Sequence, residues 1–490
     1  MIALRRSVKK LSVIAAGVAL AALAFHAEKK DAKAIPMFAR RYGVPCSTCH
    51  TSPPRLNETG YQFRAAGFRM PTEIGKPAGG DHPFKPTDYI GFRLQPRYDV
   101  THSSVGSQSK TTQKVRLFAA EGYLWYAPIS KYFSSNLKVT FWPEESNETE
   151  LTERVEGTLR FTYGNADKFI DIRGGVPHPH EGFGGSEAYV VTNTRPFIHE
   201  LQSANFNQET FFTPDGFHQA GGSVGYYHKR STIRLQVTDG IRVRQDDRGN
   251  LEPFGRRDPV TTALPQSNRG GPDFNLFFNQ ILHHQAGNFS VQYYNGRSYL
   301  PRLDLLPPGT GVAAAAALRQ PGDLGDISRR LSFTANPLGF RSMAIGPGVS
   351  ALEPTAQPID MSNLPFFKNT FDRLGIYAGY PIKRVNLLYG IQRGRDTIGS
   401  GGHFTSLGHF GEAMIRVVND ISVVGARFDW FDPARNLDHN EMRGITAYMN
   451  VWLHNELRVT PEYQHLVFKH GSGEPEQTDN RFQLRLYWVK

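Results

Sequence analysis

From about Asp88 to the C-terminus apolar and polar residues alternate, and a period of two marks β-strands with two unlike faces. In YIGFRLQPRYDV, Ile90, Phe92, Leu94, Tyr98 and Val100 stand against Gly91, Arg93, Gln95, Arg97 and Asp99. The pattern returns in STIRLQVTD, with Ile233, Leu235 and Val237 against Arg234, Gln236 and Thr238, and in NFSVQYYNG, with Phe289, Val291 and Tyr293 against Asn288, Ser290 and Gln292. It is clearest in NRFQLRLYWVK, where Phe482, Leu484, Leu486 and Trp488 oppose Arg481, Gln483, Arg485 and Tyr487. Short polar joins such as Asn419-Asp420 read as hairpin turns, whereas Arg244–Gly271, Pro301–Arg329 and Gly346–Asn363 are long and rich in Gly, Pro and charge. Roughly 14 to 18 strand candidates result.

A soluble secreted sandwich or propeller would also alternate, but three features favour a transmembrane barrel. Many strands run about 9 to 11 residues, enough to cross a bilayer at a tilt, whereas soluble strands average about 5 to 6. Trp142, Trp430, Trp452 and Trp488 stand near strand ends, where an interfacial girdle wants them. The last alternating strand runs to the C-terminus. The expected fold is therefore all-β: an antiparallel outer-membrane β-barrel over 87–490, with a small, mainly helical segment over 35–86 before it. The poly-Ala run Ala313–Ala317 reads as a short loop helix or an irregular stretch.

The first 34 residues have a signal-peptide layout: Arg5, Arg6, Lys9 and Lys10 precede an apolar run from Leu11 to Phe25. That run is about 15 residues, short of the roughly 20 a spanning helix needs. Cleavage is expected after Ala24 or Ala34, with an uncleaved anchor as the other reading; either way the chain is exported. The formal charge is +11 (56 − 45), and removing the four leader cations leaves +7 (11 − 4) without a basic block, so nucleic acid is not an expected partner.

Both cysteines of the 490-residue chain lie in CSTCH, as Cys46 and Cys49 followed by His50. Cys-x-x-Cys-His is the attachment pattern of c-type haem. Two thiols at that spacing reach the two vinyl groups of one porphyrin as thioethers, and the next histidine is carried under the iron. Three rivals are weaker. A Cys46–Cys49 disulfide closes too small a loop to add much stability, a thiol oxidoreductase needs a βαβ context, and zinc needs further ligands where the nearest later imidazole is His82. One haem c per chain is expected, with His50 as the proximal iron ligand. Pro53-Pro54 can start a helix to about Gly67, with Leu56, Gly60, Phe63 and Gly67 on one face, toward the macrocycle or the barrel wall. Met70, just past it, is the first candidate for the sixth iron ligand; Met37 and His82 are rivals, and packing alone is the other role open to Met70.

Taken together, the leader, IPMFARRYGVPCSTCH, LNETGYQFRAAGF and the alternating barrel resemble the fused outer-membrane cytochrome–porin family, whose best-known members oxidise ferrous iron at the cell surface. The resemblance is sharp over Ile35–Gly67, where Phe38-Ala39-Arg40, Cys46 to His50, Leu56-Asn57 and Gly60 match, and architectural beyond. It implies haem-binding roles for Cys46, Cys49 and His50. The expected function is an electron conduit, an electron-transfer protein or Fe(II) oxidase in the outer membrane of a Gram-negative bacterium. It would carry electrons between extracellular Fe(II), or another donor, and a periplasmic electron-carrier cytochrome, with outer-membrane lipids around it, the haem segment over 35–86 plugging the lumen so that one iron stands close to both surfaces. The alternatives are an anion-favouring diffusion porin with a redox-sensitive haem plug, and a soluble secreted monohaem β-protein. Arg93, Arg97, Arg234, Arg427, Arg458 and Arg485 are candidates to line the lumen and hold the plug or the haem propionates. His178, His180 and Glu181, and the pair His283-His284, are candidates for a surface metal or iron-docking site.

Overall fold

The computed structural model describes residues 36–77, 85, 88–142, 152–175, 191–200, 220–238, 243–245, 251–253, 272–284, 287–301, 366–397, 403–417, 422–432, 435, 441–454, 456–469 and 476–490. The expected leader, His82, the His178–Glu181 group and the poly-Ala run lie outside them.

Alternation becomes sixteen strands among the described residues. In chain order they are β1 (Ile90–Val105), β2 (Gln108–Leu124), β3 (Phe133–Trp142), β4 (Thr152–Gly164), β5 (Lys168–Gly175), β6 (Gly221–His228), β7 (Ser231–Thr238) and β8 (Asp273–His283). There follow β9 (Gly287–Pro301), β10 (Phe366–Ile382), β11 (Val385–Thr397), β12 (His403–Arg416), β13 (Val423–Asp432), β14 (Met442–His454), β15 (Leu457–Phe468) and β16 (Gln477–Val489). β2 breaks at Trp125, whose φ is 88°, and resumes as Ala127–Pro128 against the same neighbour, β3. Each strand pairs antiparallel with the next, and β16 closes on β1 from Gln477↔Val105 to Val489↔Arg93. Closure leaves no unpaired edge, which is the condition for strands to cross a bilayer.

The faces fall as alternation requires. On β7, Ile233 and Leu235 are 48 % and 47 % exposed and Arg234 only 5 %. On β16, Leu486 and Trp488 are exposed while Gln483, Arg485 and Tyr487 are buried. The outside is an apolar band and the inside is polar, so the chain is an outer-membrane-type barrel, not a soluble β-protein. No described helix is long and apolar enough to cross a membrane. One girdle residue differs from expectation. Trp430 lies outside beside His409, at 5.3 Å, but Trp452 shares parity with lumen-facing Tyr448 and Asn450, and the Arg458 guanidinium sits 5.8 Å from its ring.

Both termini of the barrel lie at one end, with the short joins 165–167, 229–230, 284–286, 383–384 and 455–456. The joins 176–220, 239–272 and 302–365 lie at the other. Short turns mark the periplasmic end of such barrels.

Among the described residues two segments lie in the lumen. Residues 36–77 carry helices α1 (Pro36–Tyr42) and α2 (Glu58–Ala65), and residues 191–200, from the β5–β6 connection, carry α3 (Phe197–Glu200). Arg427 on β13 holds the second segment through Thr192 Oγ1 at 2.8 Å and the carbonyls of Thr194 and Arg195 at 3.0 Å. Glu462 accepts from Asn193 N at 2.6 Å. Phe197 and Ile198 then enter an apolar cluster with Tyr377, Phe410, Met414 and Tyr448 of the inner wall, and Leu56 and Tyr61 of the first segment pack against the same cluster.

Candidate functional site

Cys46 and Cys49 sit on one 3-10 turn, Cys46–Thr48, closed by Thr48 N to Pro45 O and Cys49 N to Cys46 O at 3.1 Å each. Neither cysteine is in a disulfide. Burial pushes the Cys46 thiol up to about 12 and the Cys49 thiol up to about 11, opposite to the setting of a reactive thiolate. His50–Ser52 then pairs with Arg55–Leu56 in a small hairpin. The expected helix from Pro53 is therefore not found. The two prolines form the hairpin turn, and α2 starts only at Glu58, because Asn57 has the extended backbone and side-chain acceptor of an N-cap.

Asn57 is the clamp of this site. Its Oδ1 accepts from Gly60 N at 3.0 Å, its Nδ2 donates to the carbonyls of Ser47 and Thr48 at 3.1 Å, and its own N–H donates to Cys49 O at 2.9 Å. One residue thus joins the cysteine turn to the helix. Gly60 allows the approach, since a Cβ there would lie 2.1 Å from Cys49 O. His50 Nδ1 stands 3.1 Å from Pro54 O, and a carbonyl only accepts, so Nδ1 carries the proton and Nε2 keeps a lone pair. Burial pushes the imidazole down to about 4, hence neutral at physiological pH. A metal-ligating histidine commonly donates its other ring nitrogen to a backbone carbonyl in this way. Paired cysteines on one turn with a neutral, oriented imidazole beside them fit a c-type haem.

The helix face expected to meet the macrocycle or the wall is divided. Phe63 packs on α1, with ring centroids 5.0 Å from Phe38 and 5.6 Å from Tyr42, while Phe68 stands 5.9 Å from Phe38. Leu56 packs on the lumen cluster, and Gly67, at φ +78°, lies where a Cβ would meet Ser134 Oγ of β3 at 2.2 Å. Met70 follows at the far end of α2, which is about 12 Å long; its backbone N–H donates to Glu73 and its carbonyl accepts from Glu73 N. Met37 is buried on α1.

The wall grips this segment on all sides. Arg160 on β4 donates to Arg64 O at 2.8 Å and Ala65 O at 2.6 Å, capping the end of α2. Arg69 reaches the carbonyls of Ser130, Lys131 and Phe133. Glu58 meets Arg230 at 2.9 Å through both oxygens, and its N–H donates to His284 O. Opposite, Asn450 and Arg458 donate to Pro53 O at 3.1 and 3.5 Å, and Arg55 lies 3.9 Å from Met414 Sδ. Every partner is in or near a short turn or in the strand half next to one. Eleven residues separate Met414 from His403, the start of β12, so at about 3.3 Å each and a tilt near 40° the far rim is about 28 Å away. Nearness of the cysteine turn to both surfaces, the expected arrangement, is not found: it lies at the periplasmic mouth.

Of the arginines expected to line the lumen, Arg97, Arg234, Arg427, Arg458 and Arg485 are buried; Arg458 is one of the groups that hold the first segment, and Arg427 holds the second. Asn57, Arg160, Arg69 and Asn450 are positioning residues beyond the sequence expectations. Alternation assigns Arg160 and Asn450 to the inner face but cannot name their partners. His283 and His284 stack at 4.3 Å on a periplasmic-side turn, and among the described residues there is no group of three metal-ligating side chains.

No protein-family model matches the chain, and no curated protein sequence matches it. Among solved structures it is similar to an anion-selective porin from Comamonas acidovorans, at 10 % identity and TM-score 0.47, covering 82 % of this chain and 99 % of that one. It is also similar to in-vitro folded OmpT of Vibrio cholerae in its trimer form (9 %, 0.46, 82 % and 99 %) and to the channel DcaP of Acinetobacter baumannii (9 %, 0.43, 82 % and 97 %). At these values the likeness carries no argument about what the chain does.

Proposed function

We propose that the chain is an outer-membrane electron conduit of the fused cytochrome–porin type, taking single electrons from extracellular Fe(II) and passing them to a periplasmic cytochrome. The observation that carries this is the Cys46–His50 turn, clamped by Asn57 and Gly60 in a segment bonded round the periplasmic mouth. Residues that carry the family resemblance have physical work there: Phe38 builds the aromatic core of the segment and Asn57 and Gly60 position the cysteines. Cys46 and Cys49 would hold one haem c covalently, His50 would ligate its iron through Nε2, and Met70 is proposed as the second axial ligand. Haem supplies reversible one-electron chemistry near the potentials of iron and soluble cytochromes. The chain's own groups orient His50 and exclude solvent from Cys46, and the segment would close the mouth. With the turn at the periplasmic side, dissolved Fe(II) would deliver its electron from within the lumen.

The rival diffusion porin draws on one observation, the three guanidiniums of Arg160, Arg173 and Arg234 around the single carboxylate of Asp171, at 3.1, 2.5 and 2.7 Å, which leaves that patch of the inner wall cationic. Bilayer conductance and haem staining together decide. The conduit predicts a haem-stained band on a denaturing gel, lost in Cys46→Ala/Cys49→Ala, and a nearly closed channel. An unstained native chain with open, anion-selective conductance would establish the porin instead.

A further inference from the structure

The periplasmic rim carries a set of exposed cations that the conduit reading does not use. Lys229 and Lys383 occupy left-handed positions, φ 53° and 54°, at the tips of two-residue turns, with Arg384 beside one and Lys168 at the foot of β5 next to the other. Arg40 on α1 and Lys76 after the second 3-10 turn are exposed on the segment inside the ring. Of the nearby carboxylates among the described residues, Glu58 pairs with Arg230 and Glu73 accepts from Tyr42 Oη at 2.9 Å, while Asp167 is exposed and Asp88 and Glu456 are half-buried. At these two-residue turns the rim is low, which leaves room there for a flat partner.

Resting on the conduit reading, we infer that this rim is the docking surface for an acidic electron-carrier protein, held by charge over the mouth. A ring for anionic lipid would keep its cations on the outer perimeter. Arg40 and Lys76 lie on the plugging segment, inside the circle of strands that faces lipid. Complementary charge of this kind raises association rates by about 10- to 1,000-fold and fades as salt shortens the Debye length.

The test uses the full-length protein in phosphatidylcholine nanodiscs, with an acidic and a basic c-type cytochrome of similar potential as probes. Binding of the oxidised probe, and its one-electron reduction once anaerobic Fe(II) is added as the electron source, are read separately at about 10 mM and about 150 mM salt. The expected result is preferential binding of the acidic probe, weakened by salt. In Lys168→Glu/Lys229→Glu/Lys383→Glu/Arg384→Glu the loss should be at least about tenfold, with the basic probe now favoured. The fourfold Gln variant should fall between, and heat-modifiable gel migration checks that both barrels are folded. Equal binding of the acidic probe by native and variant protein overturns the inference. So does a variant that loses phosphatidylglycerol vesicles but keeps the acidic probe, which would assign the rim to lipid. A probe that docks without being reduced refutes the conduit and leaves the docking surface standing; reduction at equal rates by native and variant protein does the reverse.

Discussion

Replacing Asn57 by Ala should open the cysteine turn while leaving the barrel whole. The side chain caps α2 through Gly60 N and ties down the carbonyls of Ser47 and Thr48, whereas its backbone bond to Cys49 O survives the change. Loss of an Asn cap costs about 1 kcal/mol. Each of the two carbonyl bonds, in a half-exposed setting, contributes about 0.5 to 1 kcal/mol net. The sum is about 2 to 3 kcal/mol, and at about 1.4 kcal/mol per factor of ten the open population rises roughly 30- to 140-fold. Maleimide labelling of Cys46 in haem-free protein with Cys49→Ser reads that population, because Cys46 is 1 % exposed and reacts through local opening. Asn57→Asp restores the cap but not the two donors, so it should recover about a third to a half of the loss. An unchanged labelling rate in Asn57→Ala would falsify the clamp, as would a rise that merely tracks unfolding of the barrel.

Three further outcomes are expected. Leu484→Arg should cost about 2 to 4 kcal/mol in barrel folding and Gln483→Arg far less, since Leu484 faces lipid and Gln483 the lumen; urea titration in lipid vesicles measures both. His199 is fully buried between Tyr377 and Phe410, and burial first, then Arg195 and Arg427, hold its imidazole well below its usual value. A neutral buried base contributes stability that is lost as pH falls below the usual value, so hydrogen exchange in Val191–Glu200, corrected for intrinsic rates, should accelerate from pH 6.5 downward; no such change in comparison with His199→Phe would refute it. If Met70 ligates the haem iron, Met70→Ala should give a high-spin reduced spectrum and a lower potential; a silent Met70→Ala with a high-spin Met37→Ala moves the ligand to α1.

The barrel was legible because one constraint repeats along it: Arg234 and Arg485 face in and Leu235 and Leu486 face out wherever period two holds. Nearness to a strand end alone assigns Trp452 to a girdle, whereas its parity with Tyr448 and Asn450 puts it on the inner face. The cysteine turn was legible because CSTCH is local, and its five residues need only each other to be recognised. Proline is a good first helical residue, but the N-cap chemistry of Asn57 four residues after Pro53 is stronger in this context and sets the helix start at Glu58. What holds the segment was not legible. Arg160 to Arg64 O spans 96 residues and Asn450 to Pro53 O spans 397, and such pairs follow from barrel closure, which no local pattern carries.

Transfer of electrons through a sealed barrel is the central claim, and proteoliposomes test it directly. Vesicles holding the protein and loaded with an oxidised c-type cytochrome are placed in anaerobic Fe(II), and the trapped cytochrome is followed optically alongside vesicle conductance. The account predicts reduction of the trapped cytochrome by the native protein, none by Cys46→Ala/Cys49→Ala, and conductance in both near that of bare liposomes. Equal reduction rates in the two proteins, or reduction only where the vesicles are ion-leaky, would contradict it.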